Sequence, residues 1–516
     1  MKNNPLLMTD GYKTSHHNMY PKETSLVYSN FTPRSVKYMD ERAKEIVVFG
    51  LQYTIMYIHE LYEENFFKRD KDEVIGEAKK YFSSYLGVDY DVSHFEKLHD
   101  LGYLPIKVKG IIEGSIIGEK IPILTIYNTN PDFFWLPNFL ETLLSSLLWK
   151  PLHSASISYG LKKLLNKYAK ETDGSNMSIV NFQGHDFSFR GMQHPESAIS
   201  SGLGFLVNFW GTDTLPTLMS AKHYYGSENV GFSVPASEHS VMTSYGKEDE
   251  INAFKRILDL YPTGIVSLVS DSFDLWKVCT DFITELKEQI MSRNGKLVIR
   301  PDSGNPVDII CGHDNSSWIQ SNKATFGDNN VITNSDSPEK KGVIELLWDI
   351  FGGTVNEQGY KVLDPHIGAI LGDGVTLERA EMICKRLKSK GFASTNIVLG
   401  IGSYSMGYCT RDNQGSAMKA TYVELDIPNS DGGMEKISRD IFKDPITDDG
   451  LKKSATGLLK VVNESDKYIL LDKQTWEEEE GGILQTIYED GIFHNQTTLT
   501  EIRERINKLV DVEQGG

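Results

Sequence analysis

The sequence predicts an α/β protein, a distorted (β/α) barrel packed with a second, β-rich α+β domain built from the N- and C-terminal segments. Three observations carry this. Between about 178 and 404, seven short apolar runs each end in polar or glycine residues. Helical patterns lie between several of them, and the sequence on either side lacks that alternation. Strand–helix alternation marks parallel βα units, and seven or eight of them suggest a closed ring, with an open doubly wound sheet as the alternative.

The runs are Ser178–Phe182, Phe205–Phe209, Gly231–Val234, Gly264–Ser270, Lys296–Arg300, Ile367–Leu371 and Asn396–Gly400. Helices are expected at Leu275–Met291, Lys341–Phe351 and Leu377–Lys390. In the last, Leu377, Ala380, Ile383 and Leu387 share one face at the 3.6-residue period. In the first 150 residues, Ile106–Ile112 and Ile123–Thr129 read as strands and Leu51–Glu64 as a helix. The apolar window Phe133 to Trp149 reads as a buried helix. Pro137, Asn138 and Glu141 interrupt it too much for a bilayer span. Beyond 405, strands at Ala420–Leu425, Gly457–Val462 and Tyr468–Leu471 precede a closing helix from Glu501. The expected domains are therefore 1–150, 151–404 and 405–516, the outer two packing together. Ser321–Pro338 reads as a surface excursion and Glu477–Glu480 as a solvated acidic turn.

At 516 residues the chain exceeds one ordinary core, and 40% hydrophobic with 24% charged residues fits a soluble globular protein. A net charge of −18 argues against non-specific nucleic-acid binding, while leaving room for a local cationic pocket. The four cysteines form no C-x-x-C pair, which points away from a disulfide framework or thiolate zinc site and toward a reducing compartment. Met1-Lys2-Asn3-Asn4-Pro5 lacks a signal-peptide apolar core. The expectation is a cytoplasmic protein without membrane or nucleic-acid partners.

Polar residues recur where the strands end. In order they are His185-Asp186-Phe187-Ser188-Phe189-Arg190-Gly191, Gly211-Thr212-Asp213-Thr214, Pro235-Ala236-Ser237-Glu238-His239-Ser240, Ser270-Asp271-Ser272, Arg300-Pro301-Asp302-Ser303-Gly304, Gly372-Asp373-Gly374 and Gly400-Ile401-Gly402-Ser403. An aspartate after a strand is commonly just a helix cap. Six carboxylates, two histidines and two arginines at one topological end instead mark an active site. No P-loop is present, and Gly400/Gly402 do not continue into G-x-G-x-x-G. Arginines and glycine-rich turns can cradle phosphates. Aspartates near phosphates suit Mg²⁺ or ribose hydroxyls. Phe187 beside Arg190 suits a flat heteroaromatic ring. Phosphorylated sugar, flat ring and a reactive histidine together suggest glycosyl transfer from a phosphoribosyl donor.

With those residues in view, the chain resembles the nicotinamide phosphoribosyltransferases of the type II phosphoribosyltransferase family, essentially end to end. The matches run from Leu6–Lys13 and Phe49–Tyr53 through Asp186–Gly191, Val207–Thr214, Ser233–Ser240, Val269–Asp274, Ile299–Pro306 and Gly372–Val375 to Phe442–Pro445. The resemblance implies a homodimer with active sites at the subunit interface, making nicotinamide mononucleotide and pyrophosphate from nicotinamide and phosphoribosyl pyrophosphate. It implies Mg²⁺, and ATP hydrolysis coupled through a phosphohistidine. Carried over by position, Phe187 stacks on the pyridine, and Tyr12 from the neighbouring chain covers its other face. Arg190 and Asp213 hold the carboxamide. His239 is the phosphorylated residue, oriented by Glu238 and Asp271. Arg300, Asp302, Gly372, Asp373, Gly402 and Arg411 line the ribose and phosphate path, and Arg34 and Lys443 reach phosphates. Two departures from the family pattern are Ser403-Tyr404, where relatives often keep glycines, and Ser188-Phe189 in place of Gly-Tyr.

Physics fits this assignment. Two aromatic faces favour the cationic pyridinium product by roughly 0.5–2 kcal/mol. Carboxylates such as Asp302 can stabilise an oxocarbenium-like transition state. A nicotinate phosphoribosyltransferase is the nearest alternative; Asp213 speaks against it, because a carboxylate substrate would meet a like charge. A non-catalytic binding or signalling protein on the same fold is the second. An aldolase or isomerase barrel is disfavoured, since no lysine stands at these strand ends.

Overall fold

The computed structural model describes residues 4–174, 177–313, 337–447, 453–465 and 467–514. The expected surface excursion thus lies outside the described residues over 321–336. The chain divides into two compact units: Met1–Ser156 with Met219–Glu228 and Cys409–Asp511, and Ile157–Leu218 with Asn229–Tyr408 and Val512–Gly516.

The first unit is built on a seven-stranded antiparallel sheet. Its strand order is Met434–Asp440, Ala417–Pro428, Thr24–Thr32, Leu124–Asn128, Ile106–Gly110, Gln485–Glu489 and Ile492–Phe493. Strands from both chain ends interleave, so neither end completes the sheet alone. The apolar window 133–149 is split into turns at Pro131–Phe133 and Leu136–Phe139 before a long helix, Glu141–Thr172. Leu144, Leu148 and Leu152 of that helix are fully buried in the unit's core. The helix Leu51–Tyr62 starts at Gly50, whose φ of 94° needs glycine and whose missing Cβ makes room for Pro151. Beside that start sits Glu113, buried, with Oε1 accepting from Gln52 N at 3.1 Å and Tyr225 OH at 3.4 Å. Burial pushes its carboxyl up to about 7 despite those bonds.

Glu477–Glu480 is not a solvated turn. A capping box at Thr475 starts a short helix, Trp476–Glu480, that turns Glu479 inward. There Glu479 is only 2% exposed and accepts from Lys109 Nζ at 2.7 Å and Tyr28 OH at 3.2 Å. A pattern of four consecutive glutamates conceals the one that is paired inside.

The second unit carries a parallel sheet in the order Gly211–Thr212, Gly184–Asp186, Ile397–Ile401, Ile367–Leu371, Asn294–Arg300 and Thr263–Val269. Segment 230–237 joins its two edges. Thr212 N donates to Phe232 O at 3.0 Å and Phe232 N to Trp210 O at 2.7 Å. Across the other gap, Ser237 N donates to Ser267 O and Ser267 N to Pro235 O, both at 2.9 Å. The ring therefore closes through two isolated parallel bridges, Gly211↔Phe232 and Ala236↔Ser267. This is the distorted barrel, with a strandless segment in the seventh position.

Four apolar runs fall on strands; three do not. Ser178–Phe182 is helical over Met177–Ile179 and Val180–Gln183, and the strand begins only at Gly184. Phe205–Phe209 closes the helix Pro195–Leu206, which His194 caps with its ring nitrogen on Ser197 N at 3.2 Å. Gly202 lets that helix approach Thr217, whose Oγ1 would lie 2.3 Å from any Cβ at 202. An apolar run buried on all sides reads as a strand or a helix alike. Gly231–Val234 has only the bridging contacts above. The expected helix Leu275–Met291 is broken into Leu275–Lys277, Val278–Phe282, Ile283–Glu285 and Lys287–Ser292.

Candidate active site

Because the strands are parallel, the residues at or within two positions of each strand's carboxyl end stand at the same end of the ring. Asp186, Asp213, Asp271, Asp302, Asp373 and Ser403 all occupy such positions. The turn after Asn294–Arg300 follows its chemistry closely. Gly304 takes φ 95°, and Asn305 caps the next helix by accepting from Val307 N at 3.0 Å, with Pro306 in its first turn.

On one side of the ring, Asp213 is held twice at the same oxygen. His185 Nε2 lies 2.9 Å and Ser233 Oγ 2.6 Å from Asp213 Oδ1. Burial alone would raise the Asp213 carboxyl. The bonds from His185 and Ser233, with the charges of His185 and Arg300, outweigh it and hold the group below its ordinary value. The His185 ring also leans on Phe187, with centroids 4.7 Å apart at 46°. Phe187 is seated against the neighbouring strand at Gly400, where any Cβ would lie 2.5 Å from its ring. Its N–H donates to Ile401 O at 3.0 Å. Arg190 stands exposed in the turn Phe189–Gly191, and Gly191 lies against Ser403.

Across the ring, His239 is 45% exposed along its side chain. Its Nδ1 pairs with Ser272 Oγ at 3.0 Å, and Nε2 faces Asp302 Oδ2 at 3.6 Å and Asp271 Oδ1 at 4.0 Å. Asp271 Oδ2 accepts from Asp302 N at 2.9 Å and Ser303 N at 2.6 Å, locking two successive strand ends together. Glu238 does not orient His239: its carboxylate accepts from Ser240 Oγ, and Ser272 takes the place expected for it. Arg300 donates from Nη2 to Ser237 O at 2.5 Å, and its buried Nε has no hydrogen-bond partner. Asp302 meets Gly372, while Asp373 Oδ1 would stand 3.2 Å from a Cβ at Gly402.

Tyr12, Arg34, Arg411 and Lys443 belong to the first unit. Tyr12 is 64% exposed in the turn Gly11–Asn18. Burial lowers the Lys419 ammonium, Glu141 opposes it, and the charges of Arg34, Lys443 and Arg411 lower it further. The three expected cations therefore cluster around a fourth. A cavity of about 240 Å³ is lined there by Arg34, Lys120, Lys419 and Lys453. Like charges held together in this way favour a polyanion.

Among the described residues, no three His, Cys, Asp or Glu side chains form a metal-binding group. Mg²⁺ commonly needs only one or two carboxylates plus substrate phosphates. Asp271 Oδ1, buried without a hydrogen-bond partner, and Asp302 beside it fit that role.

The sequence places His185 and Ser272 among the strand-end residues but assigns neither a role, and it singles out neither Ser233 for the site nor Lys419 and Lys453 as cations. Ser233 lay inside a run read as strand, and Lys419 one residue outside another.

A model of the nicotinate phosphoribosyltransferase family matches residues 182–503, and one of the nicotinamide phosphoribosyltransferase N-terminal domain matches 4–108. A nicotinamide phosphoribosyltransferase of Acinetobacter baylyi is 44% identical over 98% of both chains. Another, of Xanthomonas campestris pv. campestris, is 32% identical over 97% of both. Among solved structures, a nicotinate-nucleotide pyrophosphorylase of Pyrococcus furiosus aligns with TM-score 0.55 and 14% identity over 98% of this chain and 95% of its own. Human nicotinic acid phosphoribosyltransferase aligns at 0.52 and 14%, over 97% and 93%. These two likenesses bear on the fold.

Proposed function

Since this chain belongs to the nicotinate phosphoribosyltransferase family and carries the N-terminal domain of its nicotinamide branch, we propose that it converts nicotinamide and phosphoribosyl pyrophosphate to nicotinamide mononucleotide and pyrophosphate in NAD salvage. The observation that carries the choice of base is Asp213, held at one oxygen by His185, whose ring also contacts Phe187. A carboxamide N–H₂ donates to a carboxylate, whereas nicotinate would bring a second negative charge. At about 4 Å such a pair costs about 1 kcal/mol in water and about 4 kcal/mol at an effective dielectric of 20.

In this reading the pyridine lies on Phe187, and Tyr12 of the second subunit in a homodimer closes over it. Arg190 steadies the carboxamide region. Asp302 stabilises positive charge growing on the ribose as pyrophosphate departs. Arg300, Gly372, Asp373 and Gly402 bound the ribose and phosphate path. Arg34, Arg411 and Lys443 supply charge to phosphates. Mg²⁺, when bound, neutralises donor phosphate charge, and Asp271 and Asp302 are the residues to hold it.

His239 is the acceptor for the γ-phosphoryl group of ATP. A ring nitrogen forms the new P–N bond while the P–O bond to ADP breaks. Asp271 and Asp302 face the resulting cation. ATP stimulates the transfer through that intermediate, in the cytoplasm. Among the described residues, no helix is long and apolar enough to cross a membrane.

Product analysis tests the reading. Purified protein is supplied with donor, Mg²⁺ and either nicotinamide or nicotinic acid, with and without ATP. Nicotinamide mononucleotide as the dominant product supports it. Preference for nicotinic acid would replace it with the nicotinate alternative, and no turnover of either base would favour the non-catalytic one.

A further inference from the structure

We propose that His185 is a positioning residue for base selection: with Ser233 it engages one oxygen of Asp213 and so presents the other to the substituent on the pyridine ring. The inference rests on reading this as a nicotinamide site and names the group that makes Asp213 selective.

Both side-chain donors to Asp213 converge on Oδ1, and among the described residues none donates to Oδ2. An ionised carboxylate accepts at both oxygens, so Oδ2 retains its full capacity for a carboxamide N–H₂. The main chain of Asp213 is already fixed: its N donates to Asp186 O at 3.0 Å and its O accepts from Leu215 N at 3.1 Å. What remains free are the two side-chain torsions, the last of them a broad two-fold rotation of the carboxylate. Two donors on one oxygen stop that rotation.

His185 is itself constrained. It is 9% exposed, and a Cβ at Gly211 would stand 2.6 Å from its Nδ1, so the ring fits only because residue 211 is glycine. Its other neighbour is Phe187. One imidazole thus touches both the aromatic ring that would carry the base and the carboxylate that would read its substituent. It sets the spacing between the two. The bond from Nε2 to a carboxylate assigns the proton to Nε2. The hydrogen bonds from His185 and Ser233 also keep Asp213 charged against the pull of burial. Removing the His185 donor therefore loosens the direction of Oδ2 and weakens the charge that repels nicotinate.

The test compares kcat/KM for nicotinamide and nicotinate in the wild-type homodimer and in His185→Leu, His185→Gln, Ser233→Ala and Asp213→Asn, with thermal unfolding recorded for each. His185→Leu should lower the nicotinamide-to-nicotinate ratio at least tenfold, mainly through a raised KM for nicotinamide. His185→Gln keeps an N–H at similar reach and should recover most of the ratio. Ser233→Ala, made at an exposed residue, should lower it several-fold and carries the test if His185→Leu fails to fold. Adding His185→Leu to Asp213→Asn should change the ratio no further, because the effect runs through Asp213. A folded His185→Leu with the wild-type ratio, an unchanged ratio in Ser233→Ala, or additive losses in the double variant would overturn the inference alone. Wild-type protein that does not prefer nicotinamide would overturn the reading of the site, and this inference with it.

Discussion

Gly372 and Asp302 meet so closely that a Cβ on residue 372 would lie 2.1 Å from Asp302 Oδ1. Gly372 N also donates to Pro301 O at 2.9 Å, which ties the two strand ends together and leaves the Asp302 carboxylate as the group that must move. Gly372→Ala should therefore push the carboxylate off its position beside His239. The expected result is a fall in kcat/KM of at least about tenfold, with an overpacking cost of about 1–3 kcal/mol in stability. Full activity in a folded Gly372→Ala protein would mean that Asp302 is not required where it stands.

Asp213→Asn should erode discrimination against nicotinate. Converting the like-charge cost to rates gives a loss of about fivefold at the dielectric of water, and up to about a thousandfold at an effective dielectric of about 20. The ratio of kcat/KM for the two bases, wild type against mutant, measures it. An unchanged ratio would place the substituent away from Asp213.

Those two residues also show what the sequence could and could not disclose. Asp302 was legible because it closely follows an apolar strand, and in parallel strands that position points to one end of the sheet. Asp213 reaches the same end after the two-residue strand Gly211–Thr212, although the apolar run read before it is the close of a helix. Ile367–Leu371, buried at every residue, has no other easy reading as a short strand. The bond from His185 to Asp213 was not legible, because it joins residues 28 apart across adjacent strands. Nor was Ser272 as the partner of His239, since Glu238 is nearer in sequence but turned to Ser240. Local spacing reports which end of a strand a side chain reaches, not which rotamer it takes.

His239 should take label from γ-labelled ATP, in an acid-labile and base-stable form recovered on the peptide that contains it. His239→Ala should lose both the label and the ATP stimulation while retaining slow ATP-independent transfer, which needs only positioning and charge. Label on another residue, or stimulation that persists in the mutant, would sink the assignment.

If Tyr12 completes the site of the neighbouring chain, two dead proteins should rescue each other. Tyr12→Ala and Asp302→Ala homodimers, mixed and allowed to exchange subunits, should regain activity from the one intact site in each heterodimer. No recovery after exchange is demonstrated would assign Tyr12 to its own subunit.

Glu113 predicts a pH-dependent stability. Its folded carboxyl, near 7, lies above the unfolded value near 4.5. The folded state therefore holds this proton more tightly, and the contribution of Glu113 to stability is greatest below pH 4.5. It declines as pH rises to about 7, by about 3 kcal/mol in all. Glu113→Gln cannot ionise. The stability difference between wild type and this variant, from urea midpoints, should move against the wild type over that window. A difference that stays flat with pH would mean that Glu113 is ionised inside the fold.

The strand Thr24–Thr32 lies between Leu124–Asn128 on one side and Ala417–Pro428 on the other. The first partner is synthesised soon after it; the second begins 385 residues beyond Thr32 (417 − 32). At typical translation speeds of about 5–20 residues per second, that interval is about 20–80 s on the ribosome. Throughout it, the side of Thr24–Thr32 meant for Ala417–Pro428 is an open row of N–H and C=O groups, the kind of edge that recruits strands from other chains. Nascent protein thus spends the longest part of its synthesis with this inner strand unguarded, and any message truncated before 417 leaves it so permanently.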